Sequence, residues 1–183
     1  MLVPAIVTTA DELRQILALQ QLYLRGKNNL LEEREQGFLT VHHSYEVLHY
    51  MHKCYPSVIV KDSSKIVAYA LMMPREARNL VPALEPMFNT LDKITYLNKP
   101  LPELSYYVMG QICVAKEYRG KGLVEMLYRK HKAIYQQQFD FIITEISGAN
   151  RRSLRAHEKV GFKTISTHKE ETDEWHVVLW DWK

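Results

Sequence analysis

The 183-residue chain has the composition of one soluble globular domain, because 46% of its residues are hydrophobic and 25% are charged. Its net charge of +3, from 24 basic and 21 acidic residues, is too balanced to indicate a nucleic-acid-binding protein. Two cysteines, Cys54 and Cys113, provide neither a disulfide framework nor the spacing of a metal site. The sequence contains no signal-peptide pattern and no apolar run long enough to span a bilayer. We therefore expect a cytoplasmic protein that does not act at a membrane.

The first 56 residues predict one strand followed by helical segments. Leu2 to Val7 is a short apolar run typical of a strand, and Thr9 to Glu12 forms a capping box that begins a helix. Leu30 to Gln36 predicts a second helical piece. Ser44 is expected to cap a third helix, which Pro56 limits.

Four histidines, at positions 42, 43, 49 and 52, cluster around this third helix. No Asp, Glu or Cys joins them at a spacing suited to metal coordination. We therefore interpret them as solvated or substrate-facing side chains and predict no metal site.

The rest of the chain predicts a sheet with helices between its strands. Ser57–Val60 and Lys65–Met72 form a hairpin pattern, whereas residues 74–97 give a proline-punctuated, broken helical pattern. Four further strands are expected at Tyr106–Val114, Phe139–Ile146, Lys163–His168 and Trp175–Trp182. The order of these elements predicts one α/β domain over residues 1–183, with a sheet that changes from antiparallel to parallel.

A basic glycine turn lies between the central strand and an amphipathic helix. Arg119-Gly120-Lys121-Gly122 supplies backbone freedom and two cations where the helix begins. The N–H groups at a helix start have no partner within the helix, so they attract anions. These features together predict a phosphate site.

Two motifs resemble those of the GNAT superfamily of acetyl-CoA-dependent N-acetyltransferases. Arg119-Gly-Lys-Gly-Leu-Val124 is similar to the family's pyrophosphate loop, Q/R-x-x-G-x-G/A, with Val124 where Gly or Ala is usual. The segment from Asn150 to Phe162, NRRSLRAHEKVGF, is similar to the second hallmark, N-x-x-S/A-x-x-x-Y-E-K-x-G-F. The motifs occur in the family's order, and the resemblance covers roughly Ser57 to Trp182.

The resemblance implies the GNAT fold, a mostly antiparallel mixed sheet with one splayed parallel strand pair and helices on both faces. Residues 57–182 would form the core, and residues 1–56 would be the family's variable, substrate-side start. The implied cosubstrate is acetyl-CoA, without a metal, and the implied acceptor is a small-molecule or peptide amine.

The resemblance also implies where acetyl-CoA would bind. Its pantetheine arm would lie along the main chain of Ile112, Cys113 and Val114, and Asn150 and Ser153 would contact its lower part. The pyrophosphate would bind at Arg119, Gly120, Lys121, Gly122, Leu123 and Val124. By helical spacing, we expect positions 150, 153, 154 and 157 to face the gap between the two splayed strands, with Arg152, Arg155 and Lys159 on the opposite side of the helix.

The chemistry of acetyl transfer requires a neutral amine, an N–H donor for the oxyanion and a proton for the thiolate. We expect the oxyanion donor to be a backbone N–H around Val114. His157 stands where many family members place the Tyr that protonates the thiolate; alternatively, it hydrogen-bonds within the seam between helix and sheet. Glu145 is the candidate base, and strand alternation places Tyr107 beside Gln111 as another polar lining residue. Each of these side chains could instead be structural or orient the substrate.

The predicted function is therefore transfer of an acetyl group from acetyl-CoA to a primary amine of unknown identity. Three acidic residues, Glu32, Glu33 and Glu35, would receive a cationic amine or simply form a solvated helix face. The alternatives are a non-catalytic acyl-CoA-binding module and an RNA- or DNA-binding protein that uses the arginines at 151, 152 and 155; the balanced charge argues against the latter. Tryptophans 175, 180 and 182 would seal a homodimer or close the core.

Overall fold

A computed structural model describes residues 1–27, 33, 37–170 and 173–183 of the chain. The main-sheet strands are β1 (Leu2–Ile6), β2 (Val58–Asp62), β3 (Lys65–Met73), β6 (Tyr106–Val114), β7 (Phe141–Ser147), β8 (Lys163–Lys169) and β9 (Glu174–Asp181). They form one seven-stranded sheet in the order β1-β2-β3-β6-β7-β9-β8. A separate hairpin joins β4 (Thr95–Tyr96) to β5 (Lys99–Pro100). The predicted mixed sheet is confirmed, because β6 and β7 are parallel and the other pairs are antiparallel.

The helices are α1 (Ala10–Leu22), α2 (Tyr45–Cys54), α3 (Glu85–Leu91), α4 (Leu123–Tyr135) and α5 (Arg151–Val160). Local sequence fixes where several of them begin, as predicted. Thr9 accepts a hydrogen bond from the Glu12 N–H, and Ser44 and Asn150 cap α2 and α5 in the same way. The helical piece expected at Leu30–Gln36 lies, apart from Glu33, outside the described residues. Within the described ranges, none of the helices combines the length and apolar composition needed to cross a bilayer.

Each face of the sheet carries its own hydrophobic core. On one face, α1, α2 and α3 pack side chains such as Ile16, Met51 and Phe88 against the strands. On the other face, α4 supplies Leu127 and Tyr128 to a second cluster. The helices on both faces leave the middle of the sheet inaccessible except where its strands separate.

The parallel strands β6 and β7 separate after three residue pairs, which end at Val108 and Ile143. Just beyond the last of these pairs, the Thr144 hydroxyl of β7 donates a hydrogen bond to the Met109 carbonyl of β6 at 3.0 Å. Past this point, β6 continues beside β3 as far as Val114, and β7 continues beside β9 as far as Ser147. Each strand thus keeps one partner while a gap opens between them.

A β-bulge at Gly110 shapes this region of β6. Leu71 pairs with Gln111 whereas Met72 pairs with Met109, so Gly110 is the extra residue. An extra residue reverses the alternation of side chains along a strand. The prediction that Tyr107 and Gln111 share a face is therefore wrong.

Gln111 is the centre of a buried polar network on the α1 and α2 face. Its side-chain oxygen accepts hydrogen bonds from the Gln20 amide at 2.6 Å and the Tyr69 hydroxyl at 2.5 Å. Its amide donates to the Val41 carbonyl at 2.7 Å, and the His43 N–H donates to Gln20 at 2.7 Å. This network attaches the segment containing Val41 and His43 to the bulged strand.

Replacing Gln111 with Leu should destabilise the fold by about 2 kcal/mol, because the Gln20, Tyr69 and Val41 groups would lose a buried partner. Urea unfolding measures the change. The matched control is Gln21→Leu at an exposed position of α1, which should change the free energy of unfolding by less than about 0.5 kcal/mol. Equal effects of the two substitutions would contradict the role given to the network.

Candidate functional site

A groove of about 650 Å³ runs from the gap between β6 and β7 to the start of α4. Most of the residues predicted to bind a ligand here line it. They are Ile112, Cys113, Val114, Arg119, Gly120, Gly122, Leu123, Val124, Asn150, Ser153 and His157. The two motifs, which are separate in sequence, therefore form the walls of one groove.

The main chain of β6 exposes hydrogen-bonding groups to the gap. The Ala115 N–H donates to Val67 in β3, and backbone groups alternate in direction along a strand. Ile112 and Val114 therefore direct their N–H and C=O groups away from β3 and into the gap. Arg119 donates from Nε to the Val114 carbonyl at 3.1 Å and so braces the end of this strand.

Cys113 differs from its two neighbours, because its main chain pairs with Tyr69 in β3. The main chain of Cys113 is therefore directed toward β3, and of these three residues Ile112 and Val114 direct their main chain into the gap. Burial raises the pKa of the Cys113 thiol to about 12, so the thiol stays protonated and packs as an apolar group.

The glycine turn delivers the start of α4 to the groove. Gly120 and Gly122 have φ angles of 77° and 76°, a left-handed conformation that side-chain-bearing residues adopt only at a cost. Gly122 is the N-cap of α4 and has no side chain to satisfy the first N–H groups of the helix. A Cβ at either glycine would meet no atom within 4 Å, so the turn is open on this side. These features suit an anionic group that approaches the backbone closely.

The groove has a basic wall that sequence reasoning placed incorrectly. Arg152, Arg155 and Lys159 line it together with Arg119, although α5 was expected to turn the first three of these away. Burial, together with the neighbouring cations Arg119 and Arg155, lowers the pKa of Arg152. The spacing of three, then four, residues between these α5 cations was the signal that could have identified the wall.

Two other side chains also depart from expectation. The Lys121 ammonium lies 4.8 Å from the centre of the Tyr118 ring, and Lys121 does not line the groove. Leu154 packs against the core on the α4 face of the sheet rather than facing the gap. The groove contacts a broader arc of α5 than predicted, which includes Arg152 and Arg155 as well as Ser153 and His157.

His157 is held in the seam between α5 and the sheet. Its Nδ1 lies 2.8 Å from the Ser153 carbonyl, an acceptor, so Nδ1 carries the proton. Its Nε2 therefore accepts from the Tyr128 hydroxyl at 2.6 Å. Burial lowers the pKa of His157 to about 4, opposed by the bond to Ser153. A neutral ring with both nitrogens engaged favours the seam role over proton donation to a thiolate.

A smaller cavity of about 210 Å³ lies on the other side of the gap. It shares Ile112, Asn150, Ser153 and His157, together with Phe38 and Leu39, with the groove, so the two spaces meet at the gap. Thr40, Val41 and residues of segment 83–87 contribute to its remaining wall.

Glu145 lines the smaller cavity, as its position near the end of β7 predicts. Its side chain is only 8% exposed, and its Oε1 has no hydrogen-bond partner among the described residues. Burial raises the pKa of this carboxyl to about 7, and the nearby charge of Glu170 adds to the shift. Glu145 can therefore accept a proton near neutral pH.

Tyr107 and Glu33 do not line this site. The Tyr107 hydroxyl is fully buried on the α4 face, 3.0 Å from His131 Nδ1, so the predicted lining role of Tyr107 is wrong. The bulge at Gly110 is the reason that Tyr107 and Gln111 lie on opposite faces of the sheet. Glu33 accepts a hydrogen bond from the Gly26 N–H at 2.6 Å, whereas Glu32 and Glu35 lie outside the described residues. In the part of the chain that the structure describes, no three His, Cys, Asp or Glu residues are grouped to hold a metal ion.

Comparison with known proteins gives a consistent result. Residues 27–162 match a family model described as the acetyltransferase (GNAT) family. A comparison with curated protein sequences gave no significant match.

Solved structures share the fold at low sequence identity. The ribosomal-protein-S18-alanine N-acetyltransferase from Escherichia coli is 12% identical, with a TM-score of 0.64 over 99% of this chain and 94% of that chain. A chain of the NatC complex bound to Gag peptide and CoA is 13% identical, with a TM-score of 0.67 over 100% and 99%. The yncA protein from Salmonella typhimurium, with its cofactor acetyl-CoA, is 10% identical, with a TM-score of 0.64 over 100% and 94%.

Proposed function

The chain belongs to the GNAT acetyltransferase family, and on this premise we propose that it transfers the acetyl group of acetyl-CoA directly to a primary amine. Direct transfer requires both substrates to be bound at once. The observation that carries the proposal is the meeting of two cavities at the gap, where they share Ile112, Ser153 and His157. A thioester that enters from the groove would there face an amine in the smaller cavity.

The groove suits acetyl-CoA, which supplies an activated thioester. An extended pantetheine arm can pair with the main chain of Ile112 and Val114, which faces the gap. The N–H groups at the start of α4 and the open glycine turn suit the pyrophosphate. Arg152 and Arg155 add positive charge along the same wall.

Two groups supply the chemistry in this proposal. Ile112 lines both cavities whereas Val114 lines only the groove, so we assign the oxyanion donor to the Ile112 N–H. Glu145 takes the proton from the amine, directly or through one water molecule. His157 contributes a neutral wall and fixes Tyr128 rather than donating a proton.

We also assign different tasks to the two parts of the chain. Residues 57–182 would bind acetyl-CoA, and residues 1–56 would shape the acceptor side. In support, Thr40 and Val41 line only the smaller cavity, whereas Phe38 and Leu39 line both cavities, and the network around Gln111 holds Val41 in place. Substrate specificity would then depend on a segment attached to the central strand.

Replacing Glu145 with Gln should lower kcat/KM for an amine acceptor by about a hundredfold, because the base is lost. In the wild type, activity should rise with pH through an apparent pKa near 7, since only the deprotonated carboxylate accepts a proton. This rise in activity with pH should be absent in the Glu145→Gln variant. Thiol release from acetyl-CoA across a panel of amines measures both effects, and Glu158→Gln at an exposed position of α5 is the control.

The same assay separates the enzyme from its alternative. A wild type that binds acetyl-CoA but releases no thiol with any amine would indicate a non-catalytic acyl-CoA-binding module. An unchanged pH profile in Glu145→Gln would exclude Glu145 as the base.

Replacing Arg152 and Arg155 together with Ala should weaken coenzyme A binding about tenfold, because two cations leave the groove wall. Calorimetric titration with coenzyme A measures the affinity. Lys53→Ala is the control, since Lys53 on α2 is exposed and lines neither cavity. If the double variant binds coenzyme A as tightly as the control does, the basic wall does not bind the phosphates.

A further inference from the structure

The two cavities carry opposite charge. Among the described residues, the groove is lined by four cations, Arg119, Arg152, Arg155 and Lys159, and by one carboxylate, Glu125, which pairs with Arg129. Among the described residues that line the smaller cavity, the charged side chains are the carboxylates Glu145 and Glu170, and there is no Lys or Arg. The gap thus separates a basic side from an acidic side.

The rest of the smaller cavity is largely apolar. Phe38, Leu84, Met87 and Trp175 contribute side chains to its wall. Hydrocarbon and aromatic groups would bury their surface here without losing hydrogen bonds. The cavity therefore combines an apolar body with carboxylates, as the binding site of an amine on a carbon skeleton requires.

Unpaired polar atoms near the carboxylates indicate where a ligand would bond. Glu145 Oε1 and Trp175 Nε1 are buried and have no hydrogen-bond partner among the described residues. Buried polar atoms are paired in the great majority of cases, and leaving one unpaired is costly. An ammonium or amine N–H would satisfy Glu145 Oε1.

His168 is the basic group closest to these carboxylates. Its Nε2 is 3.5 Å from Glu145 Oε1 and 3.8 Å from Glu170 Oε1, and His168 does not line the cavity. Even a charged His168 would offset only one of the two carboxylates. A third carboxylate, brought in by the acceptor, would therefore meet like charge without a matching cation.

Resting on the proposed function, we infer that the acceptor is a small primary amine on an apolar or aromatic skeleton without a neighbouring carboxylate. Glu170 acts as a specificity-determining residue that rejects carboxylated amines. In the reaction, the new N–C bond forms as the thioester C–S bond breaks. The proton of the amine passes to Glu145, which returns it to solvent, and coenzyme A leaves as the thiol after its thiolate takes a proton from water.

The inference is tested with matched acceptors in the thiol-release assay. We expect 2-phenylethylamine and isoamylamine to exceed phenylalanine and leucine in kcat/KM by about a hundredfold or more, because only the amino acids carry a carboxylate. Phenylalanine amide separates charge from bulk and should behave like the amines. Amino acids that match or exceed their decarboxylated partners would overturn the inference.

Charge reversal at Glu170 tests the residue itself. Glu170→Lys should shift the ratio of kcat/KM for phenylalanine to that for 2-phenylethylamine about tenfold toward the amino acid, and Glu170→Gln should shift it less. The control is Glu76→Lys, the same charge change at an exposed residue that lines neither cavity. An unchanged ratio in Glu170→Lys would contradict the role of Glu170.

Failure of this inference differs from failure of the proposed function. If the function is wrong, the wild type shows no thiol release with any acceptor and no heat on titration with acetyl-CoA. If only the substrate class is wrong, acetyl-CoA binds and thiol release favours carboxylated acceptors or occurs with none of the carboxylate-free ones.

Discussion

The separation of β6 from β7 is the constraint on which the rest of this structure depends. Backbone N–H and C=O groups inside a sheet are normally paired. Two neighbouring strands therefore separate only where other partners can form hydrogen bonds with these groups. Here β6 remains paired with β3 and β7 with β9, and the exposed groups of Ile112 and Val114 face the gap between them. The bulge at Gly110 changes the course of β6 close to the last pair. An extended ligand chain can then bond to β6 as a missing strand would.

Charge is divided across this gap in a way that orients two substrates. The start of α4 and the arginines of α5 make one side attractive to phosphates. Glu145 and Glu170 make the other side attractive to an ammonium group. The two substrates would meet between Ile112 and His157, where a neutral imidazole adds no competing charge. In the proposed reaction, electrostatics as well as shape would thus orient the two substrates.

Local signals made the strands, the caps and both motifs predictable. The capping box at Thr9 and the turn at Gly122 depend on residues adjacent in sequence, so their geometry can be read without knowing the fold. The position of Glu145 near the end of a buried strand could also be predicted, because it depends on strand length alone.

The features that could not be predicted from the sequence depend on contacts between residues that are distant along the chain. The bulge at Gly110 arises from pairing with β3, and it moved Tyr107 to the opposite face from Gln111. The environment of His157 depends on Tyr128, a residue on another helix, whose hydroxyl donates to Nε2 while Nδ1 donates to the Ser153 carbonyl. The basic wall depends on how α5 is rotated against the sheet, which helical spacing alone does not fix.

The account is tested most directly by amide hydrogen exchange at Ile112 and Val114, with and without coenzyme A. We predict that these two amides exchange rapidly in the free protein and become protected on binding, while those of Cys113 and Ala115, which face β3, change little. Coenzyme A that binds without protecting Ile112 or Val114 would show that the gap is not its site and would contradict the account.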